Sequence, residues 1–386
     1  MSNNEELECA RDKLKKLGVD WALVSSRENV TYVSHFETPT EFGFYEDAGY
    51  VHPLCLFAVN QSASCLVVQS WYEPLIRDRD AVDQVLTHSV YDFGKMISPR
   101  DSFLASLRQA LRSAGLDHTK ARLAIEEKTL PTVVLRVLLE EFPHLELLEA
   151  EPALMAARLV KTPRELGLLR AAAEVNRAGQ QEFLCQWKTA DQHELAVWGA
   201  CMRAMQMAAM RPLDFFVETI VGSGIASFDG GPKDRIGRAG DMALADISIR
   251  VNGYWSDTTN TVLVGSGEPT ARQRFYGVAA REAFYAAAEA LRPGRPVSQV
   301  FEAAQLVLGK YGLSCPHHVG HQTGTMVIES PKIVPYDHTI VQAGMVFAVE
   351  PGVYEGAGGT IGARMEKQVI VHETGPEILP DFEWGF

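Results

Sequence analysis

Asp246 sits in MALADISI, an otherwise apolar run with strand character. Asp is depleted in strands, and a buried carboxylate is costly unless it is paired or bound to a cation. Alone, it reads as a strand-end or solvent-facing residue. The next segment changes that reading, because Asn252-Gly253 is a two-residue hairpin signal. A turn there pairs Val251 with Tyr254, sets Asp246 opposite Thr259, and brings Asp257 onto the same face one pair nearer the turn. Diagonal neighbours on one face stand about 7–8 Å apart at Cα, so two carboxylates can converge on ions between them. Without a cation that arrangement is repulsive. Two more carboxylates occur in strand contexts, Glu350 at the end of VFAVEPG and Glu366 within ARMEKQVIV. Each alone reads as an exposed strand end. Joined by the glycine-flanked His321 of HHVGHQTGTMVIESP, they make an oxygen-rich set with one imidazole, suited to a pair of divalent ions such as Mn, Co, Zn or Fe. Four negative charges balance two dications. Ions about 3.5–4 Å apart can bridge a water, lower its pKa and clamp attacking and leaving atoms.

The elements that must carry these residues are legible in the apolar spacing. The first part alternates helix and strand. An amphipathic helix near 5–18 leads into WALVSS, CLFAV and SCLVV form a strand pair, RDSFLASLRQALRSAG is helical, ARLAIEE is a strand, and TVVLRVLLEEF is a helix closed by Pro143. That is an α/β domain of about 150 residues, a usual domain size. Within it, residues 35–53 hold five aromatics without a clear period and read as a loop. Such aromatics either form a binding surface or pack against their own domain. From Pro163 a long helix runs to about Trp187 and a second covers 192–209. Strands follow in FFVETIVG, DMALADISI and YWSDTTNTVLVG, then helices at 270–291 and 297–312, then strands in MVFAVE and RMEKQVIV.

Composition narrows the classes. The chain has 386 residues, 46% hydrophobic, enough for a sizeable core and for two or three domains. A net charge of −13 argues against nucleic acid as partner, since phosphate binding needs clustered Lys and Arg. Six scattered cysteines without a CxxC pair read as free thiols in a reducing compartment. The polar, helical N-terminus is not a signal peptide, and no run approaches the roughly 18 apolar residues of a membrane span. These features imply a cytoplasmic protein without a membrane partner.

The ordered set Asp246, Asp257, His321, Glu350, Glu366 resembles that of the pita-bread metallopeptidases, which include prolidase, aminopeptidase P and methionine aminopeptidase. GYWSDTTNT, GHxxG at His321, VEPGVY, RMEKQVIV and the helix KTPRELGLLRAAAEVNRAG are similar to family segments. ENVTYVSHF resembles the creatinase/prolidase N-terminal domain, which methionine aminopeptidase lacks. The resemblance implies an α/β N-terminal creatinase/prolidase-like domain at 1–155 and an α+β pita-bread catalytic domain at 156–386. It implies that Asp257 binds one metal, Asp246 and Glu366 bridge two, His321 and Glu350 complete one site, and Glu350 helps deprotonate the water. It also implies a homodimer and a dipeptide or other small-molecule substrate.

Two histidine positions depart from the family pattern. A histidine is usual seven residues after the metal-binding one, and Ile328 stands there. A second histidine is usual upstream, where this chain has Asp229 in FDGGP. Around Glu366 the sequence reads Glu-Lys in place of Glu-Asp. His317 matches a family histidine and is a candidate substrate or proton partner, as is Asp229; His318 is given no role. An Ile cannot transfer a proton, and general acid–base assistance is worth about 10²–10⁴ in rate. The expected activity is therefore metal-dependent C–N bond hydrolysis, with Xaa-Pro peptides as the default substrate. The alternatives are a hydrolase or lyase acting on a small non-peptide metabolite, cationic ones included, as in creatinase or ectoine hydrolase, and a non-catalytic binding protein.

Overall fold

The computed structural model describes residues 4–39, 50 and 52–386. It divides into two compact units, Met1–Leu159 and Val160–Phe386. The division lies four residues beyond the expected 155/156 boundary, which falls inside a helix of the first unit.

The first unit runs α1 (Glu5–Lys15), β1 (Trp21–Val24), α2 (Arg27–Ser34), β2 (Leu54–Ala58), β3 (Ser64–Gln69), β4 (Gln84–His88), α3 (Pro99–Ser113), β5 (Ala121–Ile125), α4 (Thr132–Glu141), β6 (Leu145–Glu149) and α5 (Glu151–Arg158). Its six strands form one sheet in the order β4-β3-β2-β1-β5-β6. One face is covered by α1, α2 and α5 through Leu7, Leu14, Val33 and Leu154, and the other by α3 and α4 through Phe103, Leu107 and Val137. Both faces are thus dry, and β1, β2 and β3 are buried at every residue. Most of the aromatic 35–53 stretch lies outside the described residues. Two of its five aromatics are described, and both pack within their own unit: Phe36 is 1% exposed beside Tyr72, and Tyr50 meets Phe103.

The second unit begins with the 24-residue α6 (Pro163–Gln186), whose Thr162 and Glu165 cap each other's backbone reciprocally. It continues β7 (Gln192–His193), α7 (Glu194–Ala209), β8 (Asp214–Val221), β9 (Ile236–Gly237), β10 (Met242–Val251), β11 (Tyr254–Leu263), α8 (Ala271–Ala290), α9 (Val297–Lys310), β12 (Gly320–Gln322), β13 (Glu329–Lys332), β14 (Val346–Val349), β15 (Gly352–Tyr354), β16 (Gly362–Arg364), β17 (Lys367–His372) and β18 (Gly375–Leu379). Two sheets matter for the site, one of three strands ordered β11-β10-β8 and one of five ordered β13-β12-β14-β17-β18. They meet where Thr259 of β11 bridges to Glu366 just before β17. α6 is fixed to the hairpin by polar as well as apolar contacts. Asn176 donates to the Ile247 carbonyl at 2.7 Å, and Gln180 donates to the Thr258 carbonyl at 3.0 Å.

The β10–β11 hairpin has the expected register, with Val251 opposite Tyr254 and Asp246 opposite Thr259. Asn252 and Gly253 take φ of 51° and 87°, the left-handed pair that a two-residue hairpin turn needs. Gly253→Ala puts a Cβ in that region and should cost about 1–2 kcal/mol, read as a lower denaturant midpoint with an unchanged slope.

Candidate metal centre

Five side chains converge where the two sheets meet. From the hairpin, Asp257 accepts a hydrogen bond from the Ser248 hydroxyl at 2.8 Å, and Asp246 accepts one from the Arg364 guanidinium. From the other sheet comes His321 on β12. Gly320 beside it has no room for a side chain, because a Cβ there would stand 2.2 Å from the Ala348 carbonyl oxygen. Glu350 follows β14 and Glu366 precedes β17. Glu366 exchanges backbone hydrogen bonds with Thr259 and accepts the Thr259 hydroxyl at 2.6 Å. Asp257, His321, Glu350 and Glu366 are all buried, while the Asp246 side chain keeps 16% exposure.

The orientation of His321 decides what the cluster can hold. Its Nδ1–H donates to the Gln322 carbonyl at 2.9 Å, so in the neutral ring the Nε2 lone pair points the other way. Burial lowers the His321 pKa, favouring that neutral form. Nε2 then lies 3.4 Å from Glu350 Oε1 and 3.6 Å from Asp257 Oδ2. An acceptor facing two acceptors is repulsive unless a cation sits among them. The carboxylates say the same. Burial, then Asp246 and Glu350, hold the Asp257 pKa well above its usual value; burial, then Asp257 and Glu350, do so for Glu366. Burial also raises Asp246 against the pull of Arg364. Glu350 differs: burial would raise it, but the His318 hydrogen bond, then Arg364 and His321, bring it down to about 2. The ligand atoms of Asp257, His321 and Glu366 lie within 4.8 Å of one another, so the donor set fits a divalent ion.

The remaining candidates are sorted by their partners. His317 Nδ1–H donates to the His318 carbonyl at 2.7 Å, and its Nε2 accepts from the Tyr354 hydroxyl at 3.3 Å. Asp229 is drawn away from the cluster, ion-paired to Arg235 at 2.9 Å and to Lys233 at 3.1 Å. Burial would raise its pKa, but those two cations lower it, which makes it a poor base. Asp229→Asn should therefore leave kcat within a few-fold of wild type and cost no more than about 1 kcal/mol, checked by steady-state kinetics and urea unfolding. Ile328 is 45% exposed and supplies no imidazole. Lys367, next to Glu366, turns to the opposite face, where its ammonium lies 4.2 Å from the Phe382 ring centroid and 4.4 Å from that of Trp384.

Three participants escape the sequence reading. Arg364 reaches Asp246 and, at 3.7 Å, Glu350, with its guanidinium 4.3 Å from the Phe228 ring centroid. Its signal was present, since it lies two residues before Glu366 and strand alternation puts both on one face. The fully buried Lys161 ammonium holds the Gln322 side chain, adjacent to His321, and pairs with Glu329 at 3.3 Å. His318, given no role above, is the third: its Nε2 donates to Glu350 Oε1 at 2.9 Å.

The fold and this cluster define a two-domain metallohydrolase. Residues 167–373 match the model of metallopeptidase family M24, and residues 7–160 match the creatinase/prolidase N-terminal domain. The chain belongs to family M24, and is a metal-dependent hydrolase of amide bonds. It is 24% identical over 384 residues to the Xaa-Pro dipeptidase of Pyrococcus horikoshii, covering 98% of both chains. It is 30% identical over 230 residues to the Xaa-Pro dipeptidase of Pyrococcus furiosus, a match spanning 58% of this chain and 64% of that one. The solved Xaa-Pro dipeptidase of Bacillus anthracis shares the fold, with a TM-score of 0.80 at 20% identity over 98% of each chain. Among the described residues no helix is long and apolar enough to cross a membrane.

Proposed function

We propose that this chain hydrolyses Xaa-Pro peptides at a centre of two divalent ions held by Asp246, Asp257, His321, Glu350 and Glu366. The observation that carries this reading is the His321 lone pair aimed at two carboxylate oxygens, an arrangement that only a shared cation or proton makes favourable. The names of the Pyrococcus relatives support the substrate class. Bound there, Mn, Co, Zn or Fe ions supply Lewis acidity and a water acidified toward neutrality. Asp257 and His321, whose Oδ2 and Nε2 lie 3.6 Å apart, would each hold a single ion, and Asp246 and Glu366 would be shared between the two. Glu350, ionised at neutral pH, takes the proton from the attacking water and passes it to the leaving nitrogen. Arg364 keeps Asp246 oriented, as Ser248 does Asp257 and Thr259 does Glu366. His317, hydrogen-bonded to Tyr354, is the further candidate for contact with substrate. The free thiols of all six cysteines suit a cytoplasmic setting, and the family resemblance supports a homodimer.

The test is a panel of Xaa-Pro dipeptides, longer Xaa-Pro peptides and small amides, offered to protein reconstituted separately with Mn, Co, Zn and Fe. Hydrolysis of Xaa-Pro bonds is expected; metal-loaded protein that cleaves none of these compounds overturns the reading. The exposed Ile328, in place of an imidazole, favours a second reading, a small non-peptide substrate. Turnover in ¹⁸O-labelled water separates hydrolysis, which incorporates the label, from elimination, which leaves an unsaturated product.

A further inference from the structure

Three histidines stand within five residues of one another, and the structure gives each a different set of partners. Both ring nitrogens of His317 are committed, to the His318 carbonyl and to Tyr354. His321 aims Nε2 into the cluster. His318 does the same from a second direction. Its Nε2 lies 2.9 Å from Glu350 Oε1, the same oxygen that stands 3.4 Å from His321 Nε2. The two rings are 5.7 Å apart and nearly perpendicular, at 76°, so both can present a nitrogen to one point without stacking. Ligand atoms of His318, His321 and Glu350 all lie within 4.8 Å of one another. The His318 side chain is 26% exposed, which leaves the ring free to turn its other nitrogen toward water.

We infer that His318 is a ligand of the metal centre, giving one ion two imidazoles and making that half of the site richer in nitrogen than the other. The inference rests on the metallocentre proposed above and concerns how this chain's own residues complete it. With an ion present, Nε2 bears the lone pair and Nδ1 the proton, and the hydrogen bond to Glu350 gives way to shared coordination. Imidazole suits Zn and Fe, whereas carboxylate and water suit Mn. The half-site with two imidazoles therefore selects for the former group.

The experiment compares wild type with His318→Gln, which keeps a donor for Glu350 but offers no imidazole, after circular dichroism has shown both folded. X-ray absorption of the Zn-loaded proteins counts imidazoles from their multiple scattering, and competition with a chromophoric chelator gives Zn and Mn affinities. We expect two imidazoles per protein molecule in wild type and one in the variant, with Zn affinity falling at least about tenfold and Mn affinity changing far less. One imidazole in both proteins, or Zn and Mn affinities that fall together, overturns the inference and leaves His318 as a residue that only orients Glu350. A wild-type protein that binds neither ion at micromolar concentration instead defeats the metallocentre itself.

Discussion

Asp246→Ala lowers metal-dependent turnover by about 10³-fold or more, while the protein still folds. In the proposed centre the carboxylate is one of four that would neutralise two dications, and stabilisation of transition-state charge by bound ions is worth several kcal/mol, with each 1.36 kcal/mol a decade in rate. The loss should fall on kcat/KM for every substrate alike, because the residue is proposed to act on the ions and not on the substrate. A second consequence separates this from general damage. Arg364, whose guanidinium is buried and held by Asp246 and Glu350, loses one partner and leans on the other. The variant should therefore stay folded but bind less metal per chain, a ratio that elemental analysis reads directly. Undiminished turnover with full metal content would remove Asp246 from the centre.

Stripped of metal, Asp257→Asn becomes more stable than wild type at neutral pH, and with metal present the order reverses. Asp257 and Glu366 are buried beside each other and beside Asp246 and Glu350, with folded pKa values held well above the unfolded carboxyl range by burial and then by their neighbours. A carboxyl raised on folding contributes its stability below its unfolded pKa, near 4, and loses it as pH rises toward its folded value. Metal-free wild type is thus penalised at pH 7–8, and asparagine, which cannot ionise but can still accept from Ser248, relieves part of the penalty. Buried histidines with lowered pKa values, among them His321 and His88, work in the opposite sense below about pH 6.5, so absolute stability is not diagnostic. The difference between variant and wild type cancels His88, and above about pH 6.5 it is also free of His321, which lies 3.6 Å from Asp257. It should grow from about pH 6.5 to pH 8, with each kcal/mol moving Tm by about 2–4 °C. Calorimetry of chelator-treated protein that shows a variant less stable at every pH would refute the repulsion.

How much of this was visible in the chain itself follows from how local each feature is. The hairpin was legible to the residue, because Asn252-Gly253 fixes the turn and the pleat then fixes which side chains face together. The first domain was legible from alternating helical and strand patterns, and the second from two long helices followed by strands, with its fold implied by the family resemblance. The edge strands Gln84–His88 and Leu145–Glu149 were not, because edge strands carry mixed apolar and polar residues. The short helices Arg27–Ser34 and Glu151–Arg158 were missed because eight residues are too few to establish a period. At the site, residue types in order picked out the five central side chains. The partners of Asp229 and His318 depend on loop geometry that no spacing encodes. Asp229 looked available until Lys233 and Arg235, four and six residues on, turned out to curl back onto it.

The bridge between Thr259 and Glu366 also sets when in the life of the chain the centre can exist. The hairpin alone brings Asp246 and Asp257 together, a closure of a few residues. Glu366 arrives only when a segment 107 positions away has been drawn back onto β11. Newly made chain would therefore carry half of the proposed cation site, acidic and open, for as long as its last sixth is missing. Metal captured early would be held by two carboxylates and readily lost, so tight loading becomes a certificate that the C-terminal strands have seated.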